Sequence, residues 1–148
     1  QMIEVFKKYK KPLIALCKVE REKVSSYGVV EVEKIKGEKR VVKIKRLVEK
    51  PNPKEAPSNF VIVGRYILTP EVFQFLMRAR RGKDGEIHLS EVFQEMISKE
   101  REILGYFFEG KWLECGNKIS YLQSLIYLTL KHKVFGPQIK IWLKKFLI

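Results

Sequence analysis

The sequence predicts an α/β fold, in which a mixed β-sheet carries flanking helices and the chain ends in a helical tail. Segments with the two-residue apolar alternation of strands fill the middle of the chain. Helix start signals, such as threonine–proline–glutamate at residues 69–71, follow these strands. From residue 117 onward, apolar residues recur at helical spacing. The chain has 148 residues, 45% of them hydrophobic, so residues 1–148 are expected to form a single domain with its own core.

The first half of the chain is predicted to contain a helix followed by strands. Residues 3–9 have helical spacing, and residues 13–19 are apolar except for Lys18, which is typical of a buried strand. The segments GVVEVEKIKG and KRVVKIKRLVEKP alternate apolar and charged residues, which predicts a hairpin that turns at Gly37 and has one solvated face. The loop NPKEAPSN is too rich in proline and asparagine for regular structure, and NFVIVGRYIL then predicts a central strand.

The second half is predicted to be mainly helical. Thr69 is expected to cap a helix that runs to about Arg80 and ends in RGKDGE, and Ser90 is expected to cap a second helix, EVFQEMISKE. The segment ILGYFFEGKWLECG predicts a strand pair or a bent strand. NKISYLQSLIYLTLKHK predicts a helix with two apolar stripes, which needs two packing partners. The tail PQIKIWLKKFLI is an amphipathic segment with its lysines on one side.

The composition indicates a cytoplasmic protein that attracts anions. Thirty Lys and Arg residues against 17 acidic ones give a net charge of +13, which attracts phosphates on nucleic acid, on a nucleotide or on a sugar. Cys17 and Cys115 match no metal-binding spacing and are expected to be free thiols of a cytosolic protein. No apolar run approaches the ~20 residues of a membrane span, so no membrane partner is expected. His88 and His132 stand alone and are predicted to be ordinary surface histidines.

The order of several short motifs resembles a known enzyme family. YGVV at residues 27–30, LVEKP at 47–51 and EAPSNFVIVGRYILTPEVF at 55–73 come first, followed by GEIHLSEVF at 85–93 and FFEGKWLECGNKISYL at 107–122. In this order they resemble the later half of bacterial UTP–glucose-1-phosphate uridylyltransferase, also called UDP-glucose pyrophosphorylase. The resemblance covers essentially the whole chain. It implies that the fold is the C-terminal portion of a Rossmann-like nucleotidyltransferase.

The resemblance implies an enzyme that joins UTP and glucose 1-phosphate into UDP-glucose, releases pyrophosphate and uses Mg²⁺. In the family, the first half carries a glycine-rich loop of the GxGTR type and an acidic pair, and Gln1 of this chain aligns just after that pair. The N-terminal nucleotide-binding half is therefore expected to be absent, the Mg²⁺ site to be incomplete and the chain to be inactive or nearly so alone. A separate N-terminal half is one partner that the resemblance allows, besides glucose 1-phosphate and UDP-glucose.

The resemblance also assigns roles to residues near the end of the predicted hairpin. Glu49 is assigned to the glucose hydroxyls, and Lys50 is assigned to the phosphate as the catalytic residue. Neighbouring strand residues point to opposite faces, so these two can share a ligand only where the strand ends, and Pro51 favours such an end. Gly28 and Gly64 are assigned to close backbone contact with the sugar. Without the resemblance, the pair is a solvated strand end and the glycines are a turn glycine and a bulge or packing glycine.

Glu114 in WLECG stands where the family usually has an aspartate that helps to hold Mg²⁺. A glutamate keeps the charge but adds a methylene group, and a displacement of about 1 Å can cost ~10²-fold in rate. Mg²⁺ also demands near-ideal octahedral geometry. The resemblance therefore leaves two roles open, a metal ligand with a longer side chain and a carboxylate that does not touch the metal.

Two functions of other classes compete with the enzyme. One is a basic nucleic-acid-binding domain, which the charge supports, although the sequence has no aromatic-interleaved RNA motif and no recognition-helix pattern. Nucleic acid is therefore not the expected partner. The other is a non-catalytic dimerisation or assembly module that uses its apolar terminal helices. A homo-oligomer is expected, and strand exchange between two copies is one way to pair the open edges of a shortened sheet.

Overall fold

The computed structural model describes residues 1–82 and 85–146 of the chain. It forms two compact units, Gln1–Gly110 and Lys111–Ile148. Units of this kind can belong to one domain, so the single domain over residues 1–148 stays a prediction. The elements, in chain order, are α1 (Met2–Tyr9), β1 (Leu13–Lys18), a 3₁₀ turn (Arg21–Ser26), β2 (Gly28–Lys34), β3 (Val41–Glu49), β4 (Phe60–Ile67), α2 (Pro70–Leu76), α3 (Leu89–Ser98), β5 (Leu104–Phe107), α4 (Lys118–Lys131) and α5 (Phe135–Phe146).

The five strands of the first unit form one mixed sheet that closes on itself in the order β1–β4–β2–β3–β5. β1 pairs antiparallel with β4 and parallel with β5, whereas the remaining pairs are antiparallel. The junction of β2 and β4 is narrow, with the single residue pair Val29 and Val61. The predicted mixed α/β fold with a helical C-terminal end is confirmed. Because each strand of the described residues has two neighbours, strand exchange is not needed to pair the sheet.

Helices cover the sheet on both sides of its strands. Consecutive residues of β1, Leu13 and Ile14, belong to different apolar clusters, as the alternation of a strand requires. The smaller cluster contains Leu13 and packs against α1. The larger cluster joins four strands to α2 and α3, and its buried members are Ile14, Leu16, Val30, Val42, Ile44, Leu47, Ile62, Val72, Val92, Phe93, Met96 and Ile103. The buried strand that the sequence predicts at residues 13–19 is therefore confirmed.

The predicted hairpin is present, but its solvated face is shorter than expected. β2 and β3 turn at Gly37, whose φ is +83°. Val29 and Val41 point away from the predicted core face but are also buried, because β4 and β5 flank the hairpin there. The pairing also shifts register, so that Lys45 is an extra residue opposite β2. This bulge moves Leu47 into the core.

Three predictions about the second half of the first unit are wrong in detail. The segment predicted as a strand pair or a bent strand contains one short strand, β5, whose two edges are occupied by β1 and β3. Thr69 is the N-cap residue of α2 as predicted, but its buried hydroxyl makes no hydrogen bond among the described residues, and α2 ends at Leu76 rather than near Arg80. His88 is the N-cap residue of α3, and Ser90 lies inside its first turn. The predicted helix end in RGKDGE includes Lys83 and Asp84, which lie outside the described residues.

The second unit contains α4 and α5. Asn117 caps α4, since its side-chain oxygen accepts a hydrogen bond from the Ser120 N–H at 2.9 Å. α5 begins at Phe135, before the predicted tail, and the last two residues of that tail, Leu147 and Ile148, lie outside the described residues. The two apolar stripes of α4 remain about half exposed, and their residues are Ile119, Tyr121, Leu122, Leu125, Ile126 and Leu128. Every helix among residues 1–82 and 85–146 is too short or too polar to cross a lipid bilayer.

Candidate functional site

Glu49 and Lys50 lie at the point where β3 stops. Glu49 is the last residue of the strand, and Lys50 adopts a left-handed conformation with φ +43°. The Lys50 N–H donates to the Tyr27 carbonyl at 3.0 Å, and Pro51 follows as a buried residue. Because Lys50 leaves the extended conformation, the opposite-face rule of a strand no longer separates the two side chains. The Lys50 Nζ lies 3.9 Å from the Glu49 Oε1.

A cavity of about 270 Å³ lies beside this pair. Strands β2, β3 and β4 and the start of α3 form its wall. The lining residues are Ser26, Tyr27, Gly28, Glu49, Ile62, Gly64, Tyr66, His88, Leu89 and Ser90. The structure thus brings together Gly28, Glu49 and Gly64, and it places Lys50 next to Glu49 but not on the wall of the cavity.

Gly28 leaves room for the Glu49 carboxylate. The two residues are partners in the β2–β3 ladder. A Cβ on residue 28 would lie 3.1 Å from the Glu49 Oε2 and 3.3 Å from the Ile62 Cδ1, closer than ordinary contact. A side chain at this position would therefore displace the carboxylate. This contact explains why a glycine suits position 28, and it is not visible in the sequence alone.

Gly64 is required by its backbone conformation. Its φ is +70°, and no atom lies within 4 Å of the position of an added Cβ. The pairing of β1 with β4 changes register here, with three residues of β4 (63–65) opposite the single residue Ala15. Gly64 is therefore a bulge glycine, which is one of the roles that the sequence allows without the family resemblance. It also lines the cavity. Its contact with a sugar stays a prediction.

Tyr66 adds a neutral hydroxyl to the cavity. Burial, together with the charge of Glu49, raises the pKa of the Tyr66 phenol above its ordinary value of 10.0, so the group keeps its proton at neutral pH. Tyr66 was not among the site residues predicted from the sequence. A signal was present, because Tyr66 follows Gly64 by two residues in a strand and such residues share a face. His88, which was predicted to be an ordinary surface residue, also lines the cavity.

Glu114 belongs to the second unit and lies in an irregular segment before α4. The Ser120 hydroxyl donates to its Oε2 at 3.4 Å, and the Ser124 hydroxyl donates to its backbone carbonyl at 2.9 Å. In the part of the chain that the structure describes, no three His, Cys, Asp or Glu residues come together as a metal site. The assignment of Glu114 as a Mg²⁺ ligand stays a prediction.

Comparisons with known proteins agree with the resemblance that the motifs indicate. A family model described as "Nucleotidyl transferase" matches residues 1–129. The chain is 39% identical over 120 residues to a UTP–glucose-1-phosphate uridylyltransferase of Komagataeibacter xylinus, covering 81% of this chain and 41% of the relative. It is 35% identical over 148 residues to such an enzyme of Streptococcus pyogenes, covering all of this chain and 47% of the relative.

A solved structure supports the same relationship. The crystal structure of a UDP-glucose pyrophosphorylase complexed with UDP-glucose is similar with a TM-score of 0.83 and 37% identity, over 89% of this chain and 49% of that chain. The chain spans about half the length of the curated relatives it matches. The family match, the relatives and the fold agree over most of the chain, and the chain therefore belongs to the nucleotidyl transferase family.

Proposed function

We propose that the chain provides the sugar-phosphate side of a UTP–glucose-1-phosphate uridylyltransferase, an enzyme that joins UTP and glucose 1-phosphate into UDP-glucose and pyrophosphate. One observation carries this proposal. One cavity is lined by the Glu49 carboxylate and by two glycines, and the Lys50 ammonium lies 3.9 Å from that carboxylate. The chain that holds this cavity matches such enzymes. The free thiols Cys17 and Cys115 suit the reducing cytoplasm, where we place the enzyme.

The proposed roles follow from the chemistry of each group. Glu49 accepts hydrogen bonds from sugar hydroxyls, and the Tyr66 hydroxyl provides a neutral donor beside it. Lys50 offsets the negative charge of the phosphate group of glucose 1-phosphate. An oxygen of that phosphate attacks the α-phosphorus of UTP, and pyrophosphate leaves. Transfer of this kind depends on positioning and fixed positive charge more than on a general base. At about 270 Å³, the cavity lies near the lower end of the ~300–1,000 Å³ of ligand pockets, which suits a sugar phosphate better than a whole nucleotide sugar.

Magnesium is part of the proposed reaction, where it would neutralise phosphate charge when bound. Glu114 is the candidate ligand that this chain offers. Because the described residues do not complete a metal site, further ligands would have to come from the substrates or from another polypeptide. We therefore expect the 148 residues alone to have little or no activity.

The test is UDP-glucose synthesis by the chain alone and by the chain mixed with the first half of the Streptococcus pyogenes relative. We expect activity in the mixture only, and we expect Glu49→Gln to abolish it. Glu55→Gln, in the exposed part of the following loop, is the matched control and should leave the activity unchanged. Full activity of the chain alone would contradict the need for a second polypeptide. Absence of both activity in the mixture and calorimetric binding of glucose 1-phosphate would refute the sugar-phosphate role.

Assembly is the second candidate function, and the exposure of α4 favours it. The six residues of its two apolar stripes are between 48% and 65% exposed. Apolar surface of this kind is typical of protein interfaces. A homo-oligomer without ligand binding would support an assembly module, and sedimentation velocity combined with calorimetry separates this outcome from the enzyme.

A further inference from the structure

The described residues that line the cavity beside Glu49 carry little positive charge. Among the described residues that line it, none is a lysine or an arginine. Lys50 lies outside the wall, with its side chain 59% exposed and its Nζ directed to within 3.9 Å of the Glu49 Oε1. A phosphoryl group inside the cavity would therefore meet the negative charge of Glu49 first. The only titratable cation on the described wall is His88.

Helix α3 holds His88 in a fixed position relative to the strands of the site. The ring of Phe93 packs against the ring of Tyr66 in β4, with centroids 5.9 Å apart. The Gln94 Oε1 accepts a hydrogen bond of 2.8 Å from the Leu47 N–H in β3. Tyr66 itself lines the cavity, and Leu47 lies two residues before Glu49, which also lines it. Because His88 immediately precedes α3, these contacts also determine its place on the cavity wall.

We propose that His88 is a further binding residue of this site and supplies a titratable positive charge to the phosphoryl group of the ligand. The inference rests on the proposed function, because the ligand is taken to be a sugar phosphate. Histidine has an ordinary pKa near 6.5, so its charge changes between about pH 5 and pH 8. The protonated ring donates from both nitrogens, whereas the neutral ring donates from one.

Charged residues line both cavities to which His88 contributes. On the side of the site, Glu49 adds a negative charge, and Tyr66 is neutral. On its other side, His88 lines a second cavity of about 310 Å³ between the end of α2 and α3. The charged residues of that second cavity are Arg78, Arg80, Glu91 and Glu95. Among the described residues, three carboxylates and two guanidinium groups thus share a cavity wall with His88.

The experiment measures glucose 1-phosphate binding by the full chain at about pH 6 and about pH 8, using calorimetry. His88→Gln retains a hydrogen-bonding side chain but does not titrate. We expect it to weaken binding about tenfold at the lower pH and about twofold at the higher pH, relative to the unmodified chain. The sequence contains two histidines, so His132→Gln in the second unit is the matched control and should follow the unmodified chain at both pH values.

The outcomes separate this inference from the proposed function. An equal loss of affinity at both pH values, or no loss, overturns the role of His88. Inorganic phosphate is the second ligand tested. If phosphate binds with a pH dependence that requires His88 while glucose 1-phosphate does not bind, the role of His88 is supported and the sugar-phosphate ligand is refuted. If the unmodified chain binds neither ligand, both proposals are refuted. Thermal unfolding shows whether the His88→Gln variant is folded. If it is not folded, His88→Asn provides the same test, because asparagine is favourable at a helix N-cap.

Discussion

Gly28→Ala tests whether the site depends on the space beside Glu49. The new Cβ would lie 3.1 Å from the Glu49 Oε2, and ordinary contact begins at 3.4 Å, so the carboxylate must retreat by about 0.3 Å. A misplacement of about 1 Å can cost ~10²-fold in reaction rate, and we expect the affinity of the same contacts to depend on distance in a similar way. If the logarithm of the loss scales with distance, a shift of about 0.3 Å weakens binding of glucose 1-phosphate about fourfold. Movement of Ile62, 3.3 Å from the same position, adds to this loss.

The same substitution should leave stability nearly unchanged. Gly28 lies in a strand with ordinary backbone angles, where alanine gains about 0.5–1 kcal/mol over glycine through lower unfolded-state entropy. This gain offsets much of the cost of the tight contact. Gly37→Ala is the matched control with the opposite signature. Its φ of +83° makes alanine unfavourable by about 1–2 kcal/mol, while nothing lies within 4 Å of the added Cβ and the turn is far from the site.

The assay combines urea unfolding with calorimetric titration of glucose 1-phosphate for both variants. Gly28→Ala should lose affinity at nearly constant unfolding free energy, and Gly37→Ala should lose unfolding free energy at constant affinity. The reasoning is refuted if Gly28→Ala binds as tightly as the unmodified chain while Glu49→Gln does not bind. In that case, the carboxylate would be needed without the space that the glycine leaves for it.

Three further predictions concern stability and reactivity. Gln94→Ala removes the acceptor that joins α3 to β3 and should lower the unfolding free energy by about 1–2 kcal/mol in urea titrations; an unchanged midpoint would contradict this. Hydrogen bonds from Lys8 and from the neighbouring tyrosine lower the pKa of Glu38 below its ordinary value of 4.5. The ionised Glu38 carboxylate therefore stabilises the fold above pH 4.5, and this stabilisation is lost as the pH falls through the lowered pKa. Glu38→Gln should therefore flatten the acid side of a plot of unfolding midpoint against pH, and an unchanged slope would argue against the interaction. Burial raises the pKa of the Cys17 thiol to about 11, whereas Cys115 is exposed, so a thiol reagent should label Cys115 first and Cys115→Ser should leave a slow phase only.

The end of β3 was predictable from the sequence because local chemistry determines it. Apolar alternation over residues 42–45 predicts a strand, and the proline at residue 51 favours its end just before that position. The structure places the strand end at Glu49 and a left-handed residue at Lys50. The proximity of these two side chains follows directly from that stop. In the same way, the helical end of the chain follows from the apolar spacing of neighbouring residues.

Other features could not be predicted because they depend on contacts between distant residues. For residues 103–116 the sequence left a strand pair and a bent strand open, and the pair does not form because β1 and β3 occupy both edges of β5. Thr69 has the sequence of a cap residue, yet packing buries its hydroxyl away from the helix N–H groups. His88 appears isolated in the sequence and becomes part of the cavity only when α3 packs against β3 and β4.

The sequence by itself determined the order of strands and helices, the stop at Glu49–Lys50 and, through its motifs, the family. These features depend on side chains within a few positions of one another, whose conformational preferences act before any long-range contact forms. The tertiary structure decided that the sheet closes on itself, that Gly28 makes room for a carboxylate and that His88 and Tyr66 share a cavity with Glu49. Those outcomes depend on packing between residues that are tens of positions apart, and such packing is settled by the shape of the whole core.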